Sequence, residues 1–240
     1  MMEWIARSLD RFMPPAASSY ALDIDFVFNL VFWIVIAFWF VLVQAIFIGL
    51  IVRFRKRDGV GAQYITGELK HEHRFIAWPH YVIMICDVIL VAAAIRVWYN
   101  VKQQLPEPDA TVRIIAQQWA WSFVHPGPDG KLDTDDDIKT VDDLHLEVGK
   151  TYHYLLESRD VLHSLSIPVF RLKQDAIPGR VVTGWFKPIT TGEHDIQCAE
   201  ICGIGHGLMP ARVILETPEQ HAAWMAGAGT SPAPGTATGE

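Results

Sequence analysis

Two cysteines, a histidine and a methionine lie close together in the stretch HDIQCAEICGIGHGLMP, residues 194–210. They are Cys198, Cys202, His206 and Met209. Thiolate, imidazole and thioether groups are the ligands that soft copper ions prefer. Two cysteine sulfurs can bridge two metal ions, and each ion then needs a further ligand, of which His206 supplies one. The spacing therefore predicts a binuclear copper site that still needs a second imidazole.

His163 is the candidate for that second imidazole. It stands in SRDVLHSLSIP, residues 158–168, at the predicted end of an apolar strand. A ligand on a strand and a cluster on a loop allow a rigid β scaffold to hold a metal with little rearrangement. Electron transfer requires a site of this kind, because the ligands should barely move between oxidation states.

Two other interpretations of the cluster stay open at this point. Two neighbouring cysteines form a disulfide readily in an oxidising compartment. Zinc is often bound by two cysteines and two histidines. Met209 has no role in either interpretation, and the pattern CxxxCxxxHxxM is more specific than a lone CxxC. Ligand softness favours binuclear copper over both.

The residues before the cluster predict a transmembrane hairpin. The chain has 240 residues, half of them hydrophobic, and no charged residue occurs from Phe26 to Val52. This run exceeds the roughly 20 residues that span a bilayer as a helix. A weaker apolar run, about 76–99, contains Asp87, which we expect to face protein or water because a lipid-facing charge is costly. The loop between them, 53–75, is rich in Lys and Arg and is therefore predicted to be cytoplasmic.

The same patterns divide the chain into four predicted parts. An extracytoplasmic segment covers 1–25, the transmembrane hairpin 26–102, an extracytoplasmic domain 103–226 and a disordered tail 227–240. The tail prediction rests on its Gly, Ala, Pro and Thr content. From residue 103 onward there are 19 Asp or Glu and 10 Lys or Arg. This acidic balance excludes nucleic acid as a partner.

The extracytoplasmic domain has the short segments and turn signals typical of an all-β sandwich or barrel. The candidate strands cover 111–117, 144–148, 151–157, 181–186 and 211–216. A final helix is predicted to begin at Pro218, with Thr217 as N-cap and Gln220 completing a capping box.

Four motifs resemble subunit II of cytochrome c oxidase, which carries a binuclear copper centre called CuA. They are QCAEICGIGHGLMP at 197–210, DVLHS at 160–164, KQDAIPGR at 173–180 and QQWAWSF at 117–123. They occur in the order of that family and follow two apolar spans, as the family has them. The resemblance implies a two-helix transmembrane hairpin followed by an all-β, cupredoxin-like Greek-key barrel outside the membrane.

The resemblance also implies a set of copper ligands. Cys198 and Cys202 would bridge both coppers, and His163 and His206 would each complete one ion. Met209 would be a weak ligand of one copper. All of these residues are present, whereas a quinol oxidase subunit of the same fold would lack them.

Further roles follow from the resemblance for residues beside the cluster. The backbone carbonyl of Glu200 would be a weak ligand of the other copper, and its carboxylate would reach a magnesium or manganese ion at the contact with subunit I. Trp119 would be the point where electrons enter from cytochrome c, whereas packing is favoured for Trp121. Asp160 lies close enough to His163 in sequence to orient its imidazole or to belong to a docking rim.

The implied function is electron transfer within a respiratory oxidase. Electrons from cytochrome c would pass through the copper pair to haem in subunit I, where oxygen is reduced to water. Subunit I and other membrane subunits would be partners, in a bacterial inner membrane with the C-terminal domain on the periplasmic side. A free-standing, membrane-tethered copper electron carrier is the alternative.

An acidic loop within HPGPDGKLDTDDDIKT, residues 125–140, raises a separate hypothesis. Asp129 to Asp137 contribute five carboxylates, and calcium prefers oxygen ligands of this kind. The spacing does not match an EF-hand, and an acidic loop is more often simply solvated. Contact of this loop with a donor protein is a further alternative.

Overall fold

The computed structural model describes residues 2–61 and 66–228. The predicted tail lies outside these residues from 229 onward. The described residues belong to two compact units, one within Met1–Leu9 and Asp23–Tyr99, the other within Asp10–Leu22 and Asn100–Glu240.

The first unit is helical, with apolar side chains exposed along its length. Its helices are α1 (Met2–Ala6), α2 (Ala21–Val31), a π-helical segment (Phe32–Phe38), α3 (Trp39–Arg53) and α4 (Lys70–Trp98). Two continuous stretches, Ala21–Arg53 and Glu72–Gln103, are long and apolar enough to cross a membrane. The second includes a further π-helical segment, Tyr99–Gln103.

Helix α4 begins before the apolar run that predicted it. The Glu72 carboxylate accepts hydrogen bonds from the backbone N–H groups of Gly67 and Leu69, which stabilises the first turn. Capping groups of this kind are polar, so hydrophobicity alone places the helix start too late.

The second unit is a two-sheet β structure. Its strands are β1 (Ala110–Gln117), β2 (Ala120–His125), β3 (Ile138–Val141), β4 (Asp143–Glu147), β5 (Tyr152–Ser158), β6 (His163–Ile167), β7 (Leu172–Ala176), β8 (Val182–Phe186), β9 (Gly192–Cys198) and β10 (Ala211–Glu216). One sheet has the order β3-β2-β1-β5-β8 and the other β4-β10-β9-β6-β7. The pairs β1–β5 and β4–β10 are parallel, and the other pairs are antiparallel. The predicted all-β, cupredoxin-like class is confirmed, as are the five predicted strands.

The core lies between the sheets and follows the two-residue period of strands. Leu144 and Leu146 of β4 are fully buried, as are Leu156 of β5 and Val213 of β10. Four strands were not predicted, β2, β3, β7 and β9, and β6 was predicted only as an apolar strand with His163 at its end. Several residues of these strands are polar, so the alternation that predicts a strand is absent. The strands form nevertheless, because strands pair through backbone hydrogen bonds whatever their side chains.

The segment before the first membrane-length helix belongs to this β unit. Ala17 donates to the carbonyl of Val169 at 2.8 Å and accepts from Ile189 at 2.9 Å, and Ser19 donates to Lys187 at 3.0 Å. The chain before the first span and the domain after the second are thus hydrogen-bonded to each other. Two crossings of a membrane satisfy this arrangement, because they return the chain to the side where it began.

Helix α5 (Pro218–Ala228) follows β10 directly. Its predicted capping box is confirmed: Gln220 donates its backbone N–H to Thr217 Oγ1 at 3.3 Å, and Thr217 donates to Gln220 Oε1 at 3.0 Å. Trp224 of this helix stacks on His145 with ring centroids 4.2 Å apart.

Candidate metal centre

The end of β9 and the loop from β9 to β10 carry five of the six predicted metal ligands: Cys198, Glu200, Cys202, His206 and Met209. Cys198 is the last residue of β9, and His206 begins a short 3₁₀ turn, His206–Leu208. Cys202 and Met209 are buried. Gly203, with φ +125°, allows the backbone to reverse between them, a conformation that side chains disfavour.

The sixth predicted ligand, His163, is held beside this loop by strand pairing. His163 is the first residue of β6 and is fully buried, so the prediction that it ends a strand was wrong. Strand β6 pairs with β9 so that Leu165 lies opposite Cys198, and Ala199 donates to the Ser164 carbonyl at 2.9 Å. The adjacent polar run Ser158–Asp160 obscured where the strand begins.

The donor atoms converge on the two cysteine sulfurs. The Sγ atoms of Cys198 and Cys202 are 3.8 Å apart. His163 Nδ1 lies 3.8 Å from Cys198 Sγ, and His206 Nδ1 lies 3.6 Å from Cys202 Sγ. Met209 Sδ is 3.5 Å from Cys202 Sγ. Each sulfur therefore has an imidazole beside it, as a pair of bridged ions requires.

The disulfide alternative does not fit this geometry. Both cysteines are free, and their sulfurs are separated by much more than the roughly 2.05 Å of an S–S bond. Thiols at this separation remain available as metal ligands.

A single tetrahedral zinc ion fits less well than two ions. Among residues 2–61 and 66–228, one group of three His, Cys, Asp or Glu side chains has its potential ligand atoms all within 4.8 Å of one another. It consists of His163, Cys198 and Cys202. His206 does not join that group, although one tetrahedral ion with bonds of about 2.0–2.3 Å would need all four donors that close. The donor set and its spread fit a soft, two-ion copper centre.

Asp160 fixes the orientation of the His163 ring. Its Oδ1 lies 2.8 Å from His163 Nε2, which therefore carries the proton and leaves the Nδ1 lone pair facing the sulfurs. Asp160 also accepts from the backbone N–H groups of Gln118 and Val161. Burial by itself would raise the pKa of this carboxyl, but these hydrogen bonds lower it below its ordinary value.

The metal-free Cys202 thiol holds its proton. Burial, together with the neighbouring Cys198, raises the pKa of the Cys202 thiol to about 11. Metal ions bind the thiolate, so binding at this site releases protons.

Glu200 contributes its backbone rather than its side chain to the cluster. Its carbonyl oxygen lies 3.3 Å from Cys198 Sγ. The partly exposed carboxylate has no hydrogen bond or ion pair with any other residue in the described part of the chain. It therefore remains free to bind a second kind of ion.

The two tryptophans of the QQWAW motif take different positions. Trp121 is fully buried, donates from Nε1 to the Met209 carbonyl at 3.2 Å, and lies 6.2 Å from the His163 ring. Trp119 is 38% exposed and lies against the backbone of Gly203 and Gly205. Packing suits Trp121, whereas Trp119 connects the solvent to the ligand loop.

Gln118 belongs to the site and was missed in the sequence. Its side-chain Nε2 donates to the Cys202 carbonyl at 2.8 Å, and its backbone donates to Asp160 Oδ2 at 2.6 Å. The only signal was its position next to Trp119 in the QQWAW motif.

The surface around Trp119 is apolar. Ile201, Ile204 and Leu208 of the ligand loop are each more than 80% exposed. Exposed apolar side chains grouped in this way mark protein contact surfaces.

The acidic loop is a separate feature and connects β2 to β3. Asp133 forms an ion pair with Arg113 at 2.6 Å, and Asp136 accepts from Thr134 and from the Asp129 N–H. Calcium binding there stays a prediction.

Comparison with known proteins agrees with the site. Residues 110–216 match the family described as "Cytochrome C oxidase subunit II, periplasmic domain". The chain is 34% identical over 224 residues to the "Alternative cytochrome c oxidase subunit 2" of Bradyrhizobium diazoefficiens, covering 84% of this chain and 79% of that protein. It is 29% identical to the "Cytochrome c oxidase subunit 2" of Cereibacter sphaeroides, covering 88% of this chain and 78% of that protein.

A solved structure is also similar. The periplasmic domain of subunit II of cytochrome oxidase (CoxB) of Bradyrhizobium japonicum aligns with a TM-score of 0.46 and 30% identity. The alignment covers 52% of this chain and 96% of that domain.

Proposed function

Because the chain belongs to the cytochrome c oxidase subunit II family, we propose that it accepts electrons from cytochrome c at a binuclear copper centre and passes them to haem in subunit I. It is a component of a haem–copper oxidase, and subunit I is its partner. The oxygen chemistry takes place on subunit I. The arrangement of an imidazole beside each of two sulfurs 3.8 Å apart carries this proposal.

The residues that would hold the copper ions are those that converge on the two sulfurs. Cys198 and Cys202 would bridge the ions, and His163 and His206 would each complete one. Met209 would be a weak ligand. Copper bound there would supply one-electron chemistry, while the β scaffold keeps the ligands in place and the buried setting limits access of water.

Glu200 would serve two metals with different groups. Its backbone carbonyl lies beside Cys198 Sγ and would be a weak ligand of the copper ion that Met209 does not bind. Its carboxylate, which has no described partner, would bind magnesium or manganese at the contact with subunit I. Carboxylate oxygen suits such hard ions.

Trp119 would be the point where electrons enter. Its indole is partly exposed, lies against the ligand loop and adjoins the apolar surface of Ile201, Ile204 and Leu208. The acidic balance beyond residue 103 would steer a basic donor protein toward the domain, so association should slow as salt increases.

The location follows from the two membrane-length helices and the outer β domain. The chain is a membrane protein with a periplasmic domain. We place it in a bacterial inner membrane, with its N-terminal segment on the same side as the β domain because the two are hydrogen-bonded.

Purification of the detergent-solubilised complex tests the function. The proposal expects two copper ions per chain, co-purifying haem, a multi-span subunit I, and reduction of the copper by reduced cytochrome c. Zinc in place of copper would contradict it. A copper-loaded chain that purifies without haem or other subunits would favour the free-standing electron carrier instead.

A further inference from the structure

Gly203, Gly205 and Gly207 lie at every second position of the ligand loop, the segment between β9 and β10. A side chain added at each of the three would meet different surroundings. Gly203 has φ +125°, so a glycine is required there by the backbone. Gly207 has nothing within 4 Å of the place where a Cβ would stand. Gly205 is buried, and its φ of −90° and ψ of 12° are accessible to any residue.

The backbone conformation therefore does not require glycine at position 205, but the lack of room for a side chain does. A Cβ at Gly205 would stand 2.6 Å from Cγ and 2.7 Å from Cε3 of the Trp119 indole, and closer still to Cδ2. Real Cβ atoms essentially never come within 3.0 Å of a non-bonded heavy atom of a distant residue, so the ring would have to move. The indole thus lies directly on the backbone between Cys202 and His206.

The segment that carries the indole makes further contacts with the site through the residue before it. Gln118 precedes Trp119 and is fixed twice, through its side chain to the Cys202 carbonyl and through its backbone to Asp160. Asp160 in turn holds His163. The segment that carries Trp119 is therefore tied to two of the candidate copper ligands.

From these contacts we propose that Gly205 is a positioning residue for electron input: its missing side chain allows the Trp119 indole to lie against the ligand loop. This inference rests on the proposed function, in which Trp119 receives electrons. One electron leaves the ferrous haem of cytochrome c, which becomes ferric, and the bound copper pair is reduced by one electron, with no bond or proton exchanged. Gly205 acts on the rate of that transfer through Trp119, not on metal binding.

The test compares Gly205→Ala with Gly207→Ala in the purified complex. The two positions flank His206, and only the first would displace Trp119, so Gly207→Ala is a matched control. Both variants should bind two coppers. Gly205→Ala should slow copper reduction by reduced cytochrome c by about tenfold to a hundredfold, as expected for displacement of a transfer group. Reduction by hexaammineruthenium(II), a small reagent that does not depend on docking at Trp119, should change much less.

A readout without copper supports the assignment independently. In the metal-free full chain labelled with 5-fluorotryptophan, the ¹⁹F resonance that Trp119→Phe removes should shift in Gly205→Ala and stay unchanged in Gly207→Ala. In the Trp119→Phe background, Gly205→Ala should have no further effect on the rate.

The outcomes separate this inference from the function on which it rests. Gly205 has no positioning role if Trp119→Phe slows reduction by cytochrome c but Gly205→Ala does not. The same conclusion follows if Gly205→Ala slows reduction as much in the Trp119→Phe background as in the parent. If Trp119→Phe leaves reduction unchanged, Trp119 is not the point of electron input. Loss of copper in Gly205→Ala, with copper retained in Gly207→Ala, would show a structural role and overturn the inference.

Discussion

The Asp160 carboxylate lies 2.8 Å from Nε2 of His163, while Nδ1 of the same ring lies 3.8 Å from Cys198 Sγ. One imidazole thus joins a carboxylate to a thiol, and its two nitrogens have opposite roles. The carboxylate fixes the tautomer and raises the basicity of the nitrogen that faces the metal.

Replacing Asp160 by Asn should weaken copper binding without abolishing it. An amide holds the Nε2 proton less strongly than a carboxylate, and loss of such a partner typically lowers metal affinity by about tenfold to a hundredfold. Competition with a copper chelator measures the affinity. Asp195→Asn, on the exposed face of β9, is the control and should bind copper like the parent. Equal affinities for the parent and Asp160→Asn would remove the orienting role.

Replacing Cys198 by Ser should eliminate the two-copper centre. The hydroxyl is a poor ligand for soft copper, so neither the bridge nor the shared electron survives. An electron shared equally by two copper nuclei gives a seven-line EPR pattern, which should be absent. Cys86→Ser, in helix α4, should leave the pattern intact. A seven-line spectrum from Cys198→Ser would rule out a bridging thiolate.

Replacing Met209 by Leu should change the reduction potential while copper stays bound. A weak ligand tunes the potential more than it holds the metal, and an apolar replacement favours the less charged, reduced form. We expect a rise on the order of 60 mV, which is tenfold in a one-electron equilibrium. Redox titration measures it. Complete loss of copper would show that Met209 is instead a strong ligand.

Replacing Glu200 by Gln should separate the two proposed metals. The backbone carbonyl beside Cys198 is retained, so copper content should stay at the parent level. The carboxylate is lost, so manganese bound by the complex in exchange for magnesium should fall by tenfold or more, since hard cations prefer charged oxygen ligands. Manganese EPR provides the readout, with Glu193→Gln as the matched control. Unchanged manganese binding would exclude the Glu200 carboxylate as a ligand.

The stability of the β domain should decrease with acidity because of His125. Burial, and the neighbouring His145 and His221, lower its pKa from 6.5 to about 3. Below pH 6.5 the unfolded chain therefore binds a proton that the folded chain excludes, and stability falls until pH 3. At pH 5 the resulting decrease in the free energy of unfolding is about 2 kcal/mol for this one histidine. Chemical denaturation of the full chain in detergent at pH 5 and pH 7.5 measures it.

The matched variant for this prediction is His125→Gln. It keeps a polar side chain opposite Thr140 but has no titratable ring. Its stability should depend less steeply on pH between 7.5 and 5 than that of the parent. Parallel pH profiles for the two proteins would contradict the assignment to His125.

Several features of the fold could be predicted because their causes are local. A long uncharged run predicts a membrane-length helix, alternation predicts β1, β4, β5, β8 and β10, and Thr217 with Gln220 predicts the start of α5. Each signal lies within one continuous segment of the chain. Strand β9 and the starting residue of β6, which together hold the site, were not predicted, because pairing through the backbone leaves no such pattern.

What the sequence by itself determined is the set of donor atoms: the spacing of Cys198, Cys202, His206 and Met209 favours a soft metal such as copper. Only the tertiary structure brought His163 to Cys198, through the register of β6 with β9. It also brought Gln118 to Cys202, from 84 residues away. Ligand identity depends on the atoms of single side chains, whereas these approaches depend on which strands pair and where, and that is decided by the packing of the whole domain.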